Sequence, residues 1–120
     1  MSGGAHWGGG LWISSMDHAL VGQLMLNKGR WNDQEIIPEK SIEECTKPCP
    51  IAPFYGYLWW LNDVRNGLLS GTPKSAYCAM GVGTQIIYVD PENDVVVVAR
   101  WIEQDKVSEF LRMVLASIEK

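Results

Sequence analysis

A serine followed three residues later by a lysine is the shortest pattern in this chain that could carry chemistry. A lysine one helical turn away can take the hydroxyl proton and leave a nucleophile ready for acyl transfer. The pattern occurs once, at Ser117-Ile118-Glu119-Lys120, the last four of 120 residues. Such a pair needs the protected start of a buried helix, whereas chain ends fray, so the match reads as coincidence. The two histidines lack a partner as well. His6 lies in a glycine-rich stretch beside Trp7 and could line a pocket. His18 follows Asp17 in an expected helix and is expected at the surface. Neither has a serine or cysteine placed to complete a self-contained triad.

Cys45, Cys49 and Cys78 are odd in number, which argues against a closed disulfide framework. No second Cys/His pair follows Cys45 and Cys49, so no zinc site is expected, and no other metal or cofactor is called for. The net charge of −4 is spread along the chain and gives no reason to expect nucleic acid or an anionic membrane as partner. No apolar run approaches the roughly 20 residues needed to span a bilayer. No basic, then apolar, leader is visible after Met1, and cytoplasmic and periplasmic compartments both fit.

The stretch Tyr77–Pro91, "YCAMGVGTQIIYVDP", holds the remaining candidates. It could be a phosphate-binding glycine loop, a plain hairpin or the wall of an active site. Gly81-x-Gly83 lacks a third glycine, runs into a strand and has no following lysine-Ser/Thr pair, which argues against phosphate. Glycines entering a strand mark a bulge or a close backbone approach, which suits either of the other readings.

The elements that would position this stretch follow from capping signals and periodicity. Ser14-Ser15-Met16-Asp17 resembles a capping box, and a helix is expected over Ser15–Lys28, stopped at Gly29 in a left-handed cap. Arg30–Ile37 is a short excursion with a turn at Asn32-Asp33 and a short strand at Ile36-Ile37. Pro38 suits the first position of a second helix, "PEKSIEECT". Pro48, Pro50 and Pro53 make Lys47–Phe54 irregular. Tyr55–Asn62 reads as an aromatic strand, followed by turn chemistry at Asn66-Gly67. Thr84–Val89 and Val95–Trp101 are expected strands around "DPEND", in which Asp90 and Asp94 serve turn geometry. The unbroken "VVVVA" predicts burial on both faces. Asp105 is expected to cap a last helix whose apolar positions Val107, Phe110, Leu111, Val114, Leu115 and Ile118 share one face. The sum is a single α+β domain over 1–120, with about three antiparallel strands packed by helices and residues 1–10 flexible.

Three blocks, "GGGLWISSMDHALVGQLMLNKGRW", "YGYLWWLN" and "AMGVGTQIIYVDPENDVVVVARW", resemble in order and spacing the C-terminal part of the β-lactamase-related serine hydrolases. That family holds class C β-lactamases, penicillin-binding proteins, carboxylesterases, D-aminopeptidases and 6-aminohexanoate-dimer hydrolases. The resemblance runs over roughly residues 8–118 and is closest to the esterase-like and 6-aminohexanoate-dimer-hydrolase-like branch. It implies the C-terminal portion of the β-lactamase/transpeptidase-like fold and an acyl-enzyme mechanism. In that mechanism a Ser-x-x-Lys motif supplies nucleophile and base, a Tyr-x-Asn motif assists proton transfer, and a third motif lies on an edge strand. Carried onto this chain, the third motif matches Ala79-Met80-Gly81-Val82. Gly81 would let an acyl group approach, and the Val82 N–H would be the oxyanion donor. Met80 stands where a hydroxyl residue is common, and it cannot make that residue's hydrogen bond to a substrate carboxylate. An alternative register uses Lys74-Ser75-Ala76. With no Tyr-x-Asn and only the terminal Ser-x-x-Lys, the resemblance implies a chain that holds no catalytic nucleophile and is inactive alone. It would act on an ester, amide or β-lactam once completed by an N-terminal half. The alternative is a non-catalytic binding or oligomerisation module, with Tyr57, Trp59 and Trp60 as its interface. In either case an unpaired sheet edge would favour self-association.

Overall fold

The structure, a computed structural model, describes residues 12–62 and 67–118. The first helix, α1, spans Ser15–Leu26. Ser14 caps it, its hydroxyl accepting the Asp17 N–H at 3.1 Å and donating to Asp17 Oδ2 at 2.7 Å. The helix ends two residues before the expected Lys28, because the left-handed turn begins at Lys28 itself (φ 54°) and continues through Gly29 (φ 82°). The Gly29 N–H closes the end on the Leu24 carbonyl at 2.8 Å, and the Lys28 N–H on that of Met25 at 3.0 Å. A side chain at Gly29 would put its Cβ 2.0 Å from the Ile37 carbonyl oxygen.

A two-residue hairpin follows, β1 (Arg30–Trp31) with β2 (Gln34–Glu35), turned at Asn32-Asp33. The short strand therefore lies at 34–35 and not at Ile36-Ile37. Both isoleucine N–H groups donate to the Gly29 carbonyl, at 2.9 and 3.0 Å, which folds them back against the end of α1. Helix α2 (Glu39–Cys45) has Pro38 as its N-cap, one position earlier than expected.

The expected strand over Tyr55–Asn62 is mostly a reversal. Only β3 (Trp60–Leu61) is extended, and Tyr55 pairs back onto Trp60 through a turn with Leu58 at φ 65°. The end of α2 causes this: the Tyr57 N–H donates to the Cys45 carbonyl at 2.9 Å. Gly56 lies so close to that carbonyl that a Cβ there would be 2.0 Å from its oxygen. The turn expected at Asn66-Gly67 falls partly outside the described residues.

Strands β4 (Tyr77–Gly81), β5 (Gln85–Asp90) and β6 (Val95–Ala99) complete an antiparallel sheet in the order β3-β4-β5-β6. The sheet has four strands where about three were expected, with the β1-β2 hairpin separate from it. Side chains alternate between two covered faces. Cys78, Ile86 and Tyr88 pack with Leu69 and with Val107 and Leu111 of α3 (Val107–Ala116). Tyr77, Ile87 and Val89 pack with Met25 of α1 and Ile42 of α2. Both faces of β6 are covered, yet all five of its residues are half-buried, because β6 is the outer strand. Continuous burial had been expected there. Asp105 lies in a 3₁₀ turn (Gln104–Lys106) instead of capping α3, whose start makes no side-chain cap bond. Fixing that start instead is burial: Val107 and Leu111, one turn apart, are each 1% exposed.

Candidate functional site

Strand β4 carries the candidate motif. Its first residues are committed to the core, Tyr77 against Trp59 with ring centroids 5.3 Å apart, and Cys78 fully buried. Burial pushes both the Tyr77 hydroxyl and the Cys78 thiol up to about 12, so neither is poised for proton transfer or attack near neutrality.

The distal half of β4 differs. β3 pairs with β4 only through Trp60↔Cys78 and Leu61↔Tyr77. Among the described residues no strand pairs with Ala79, Met80 and Gly81 on that side, while β5 pairs with all three on the other. The backbone there is an open edge that an extended acyl chain can lie along. Met80 tucks its side chain against the α3-side core. Gly81 faces the α1 side, where a Cβ would meet nothing closer than Gln85 Cβ at 3.9 Å. Val82 follows at the tip of the β4–β5 turn with 91% of its surface exposed.

Gly83 answers a different need. Its φ of 79° is left-handed, and a Cβ there would lie 2.5 Å from the Trp101 ring. The two glycines thus have separate causes. Gly83 shapes the turn and seats Trp101, whereas packing among the described residues does not require Gly81 to be small.

The turn adjoins a cleft of about 210 Å³ that the sequence reading missed. Arg100 reaches into it from the end of β6. Its Nη2 donates to the Ile13 carbonyl at 2.6 Å and lies 3.1 Å from His18 Nδ1. His18 is half-buried there, a departure from the surface position expected for it. Desolvation, then the Arg100 charge, lower its pKa below the ordinary 6.5, with Asp17 opposing. A neutral ring with its proton on Nε2 accepts the guanidinium bond. Alternation along "VVVVAR" signals that Arg100 shares a face with Val96 and Val98, but nothing in the sequence brings it to His18.

The other candidates lie apart. Lys74 and Ser75, of the alternative register, are exposed in the turn before β4, and Ala76 is buried. They border a cleft of about 400 Å³ at the opposite end of the sheet, beside Lys28, Glu39 and Pro91. Ser117 caps the end of α3, and its hydroxyl donates to the Val114 carbonyl at 2.7 Å. His6 and Lys120 lie outside the described residues. Trp59 is buried and Trp60 half-buried, stacked on Phe54, so of the expected aromatic interface only Tyr57 is exposed. Among the described residues no group of three metal-ligating side chains converges, and no helix is long and apolar enough to cross a membrane.

No protein-family model matches this chain, and no curated protein sequence matches it. Among solved structures it is similar to one described as "Putative 6-aminohexanoate-dimer hydrolase from Bacillus anthracis", with a TM-score of 0.60 at 21% identity. The likeness covers 87% of this chain and 28% of that one. At that identity it establishes the fold: an α+β arrangement with a small antiparallel sheet packed against helices, fitting the C-terminal portion of a β-lactamase-like fold.

Proposed function

We propose that this chain supplies the third-motif side of a serine hydrolase site acting on ester, amide or β-lactam bonds. The observation that carries the reading is the distal half of β4. It is an open backbone edge ending in Gly81 and the exposed Val82, within a fold shared with a protein described as a hydrolase. A nucleophilic serine from an N-terminal segment, in the same polypeptide or a separate one, would attack the acyl carbon. The Val82 N–H would donate to the oxygen as it gains charge, and Gly81 would leave room for the acyl group. The leaving group would depart with a proton, and water would then release the acyl product and restore the serine. Met80, half-buried against the α3-side core, would shape the strand without bonding a substrate carboxylate. The position of Ala79-Met80-Gly81-Val82 on a strand end, against Lys74-Ser75-Ala76 in a turn, supports the first register.

The test is intact mass after incubation with a fluorophosphonate, which traps activated serines. The chain alone is expected to show no adduct. A stoichiometric adduct mapped to Ser117 or another serine here would overturn the reading. Mixing with a separately produced N-terminal segment of a β-lactamase-like hydrolase is expected to yield ester hydrolysis.

One observation favours a second reading, a self-associating module without catalysis. α1 is apolar on both sides: Gly22 and Met25 face the sheet, while Met16 and Leu20 are 74% and 48% exposed. Helices apolar all round are ordinarily covered. A monodisperse dimer by analytical ultracentrifugation, with no gain of hydrolysis on mixing, would select this reading.

A further inference from the structure

The guanidinium of Arg100 is charged, half-buried and paired with no carboxylate among the described residues. Its two neighbours are a carbonyl oxygen and a neutral imidazole. Its Nε–H is buried and has no hydrogen-bond partner among the described residues. A cation withdrawn from water without a counter-charge, and with an idle donor, is costly unless an anion joins it.

We propose that the cleft formed by Trp12, Ile13, His18, Gln85, Arg100 and Trp101 binds the carboxylate of a small organic acid. Arg100 Nε is the principal donor, and the two indoles flank the aliphatic portion of the ligand. Four features give the site this chemistry. Among the described residues the only full charge lining the cleft is positive. Gln85, the cross-strand partner of Gly81 on the same face, can donate a second bond through its amide. Trp12 and Trp101 line the cleft while exposing 85% and 78% of their own surfaces, so little holds them against a small movement that uncovers the guanidinium. His18 lines the same cleft, and with its proton on Nε2 the neutral ring keeps one N–H donor not turned toward Arg100.

The position deepens the proposed function and, in this part, rests on it. An acyl group lying at Gly81 would extend past Gln85 toward Arg100. The substrate class is then an acyl compound whose far end carries a carboxylate. That carboxylate would be held by Arg100, the residue directly after β6.

The test uses the full chain, labelled with ¹⁵N, and follows the Arg100 side-chain Nε–H resonance while hexanoate or hexanamide is added. Hexanoate is expected to shift it saturably, with affinity about tenfold or more above hexanamide. Arg100→Lys, checked for folding by its amide spectrum, should weaken hexanoate by about tenfold as well, since a point charge cannot replace the Nε donor. The comparison of the two ligands on the unaltered chain stands even if that variant fails to fold. Equal response to acid and amide, or none at Arg100, overturns the proposal. An equal response to inorganic phosphate overturns the assignment to carboxylates. A shift that appears only with an added N-terminal segment would make the partner a side chain of that segment, which also overturns it. None of these readouts needs hydrolysis, so the proposal and the hydrolase reading fail separately.

Discussion

Tyr88 donates its hydroxyl proton to Asp90 Oδ2 at 2.8 Å, two residues along the same strand, with both side chains withheld from solvent. The carboxylate also accepts the Asn93 side-chain amide at 2.9 Å and the Glu92 and Asn93 N–H groups at 3.1 Å each. One buried residue therefore joins the strand to its turn. Asp90→Ala removes four bonds and is expected to cost about 3 kcal/mol or more, whereas Tyr88→Phe, which removes the Asp90 bond and a weaker interaction with Thr72, is expected to cost about 1 kcal/mol. Urea denaturation of both variants checks the ratio. Equal losses would show that the turn does not depend on the carboxylate.

Glycine substitutions separate turn requirements from site requirements. Gly56→Ala forces a methyl against a backbone carbonyl that cannot give, and should destabilise by about 3 kcal/mol or more. Among the described residues, Gly81→Ala meets only an ordinary contact, Gln85 Cβ at 3.9 Å. It should change stability by under about 1 kcal/mol while lowering the hydrolysis rate of the reconstituted enzyme. A large stability loss at Gly81 would mean that its smallness serves packing and not substrate.

Val82→Pro deletes the proposed oxyanion donor at a position whose side chain is almost wholly in solvent. The expected loss in kcat of the reconstituted enzyme is about 100-fold or more, with binding of a substrate analogue retained. A variant that keeps its rate would move the oxyanion donor elsewhere.

His18 predicts a direction for the pH dependence of stability. Its folded pKa is depressed, so the unfolded chain takes up a proton first as pH falls. The stability it supports is present above the ordinary value of 6.5 and is lost as pH drops through 6.5 toward the folded value. Arg100 strengthens this loss and Asp17 moderates it. His18→Gln should flatten that part of the thermal-melting profile between neutral and mildly acid pH. An unchanged slope would assign it to carboxylates.

The parts legible in the sequence were those set by local rules. Ser14 and Asp17 announced the start of α1, Asn32-Asp33 a turn, and the spacing from Val107 to Leu111 the buried stripe of α3. The parts that were not legible depend on distant partners. Tyr55–Asn62 has strand composition, yet the carbonyl of Cys45 bends it into a reversal. "VVVVA" has interior composition, yet it lies outermost in the sheet. The candidate motif was found through a resemblance, since nothing in the spacing of Met80, Gly81 and Val82 shows that β3 stops short of them. The meeting of Arg100 with His18, 82 positions apart, depends on how α1 crosses the sheet.

Cys78 turns the centre of the sheet into a clock. Its thiol is wholly enclosed and its pKa is held at about 12, so an alkylating reagent can reach a reactive form only when β4 separates from its neighbours. Cys45 and Cys49 are half-buried near the end of α2 and should be labelled through far smaller openings. The interval between the two labelling phases measures how much of the molecule must come apart before its central strand is exposed. It would also lengthen on addition of anything that clamps the distal edge of β4, whether a substrate or the rest of an enzyme.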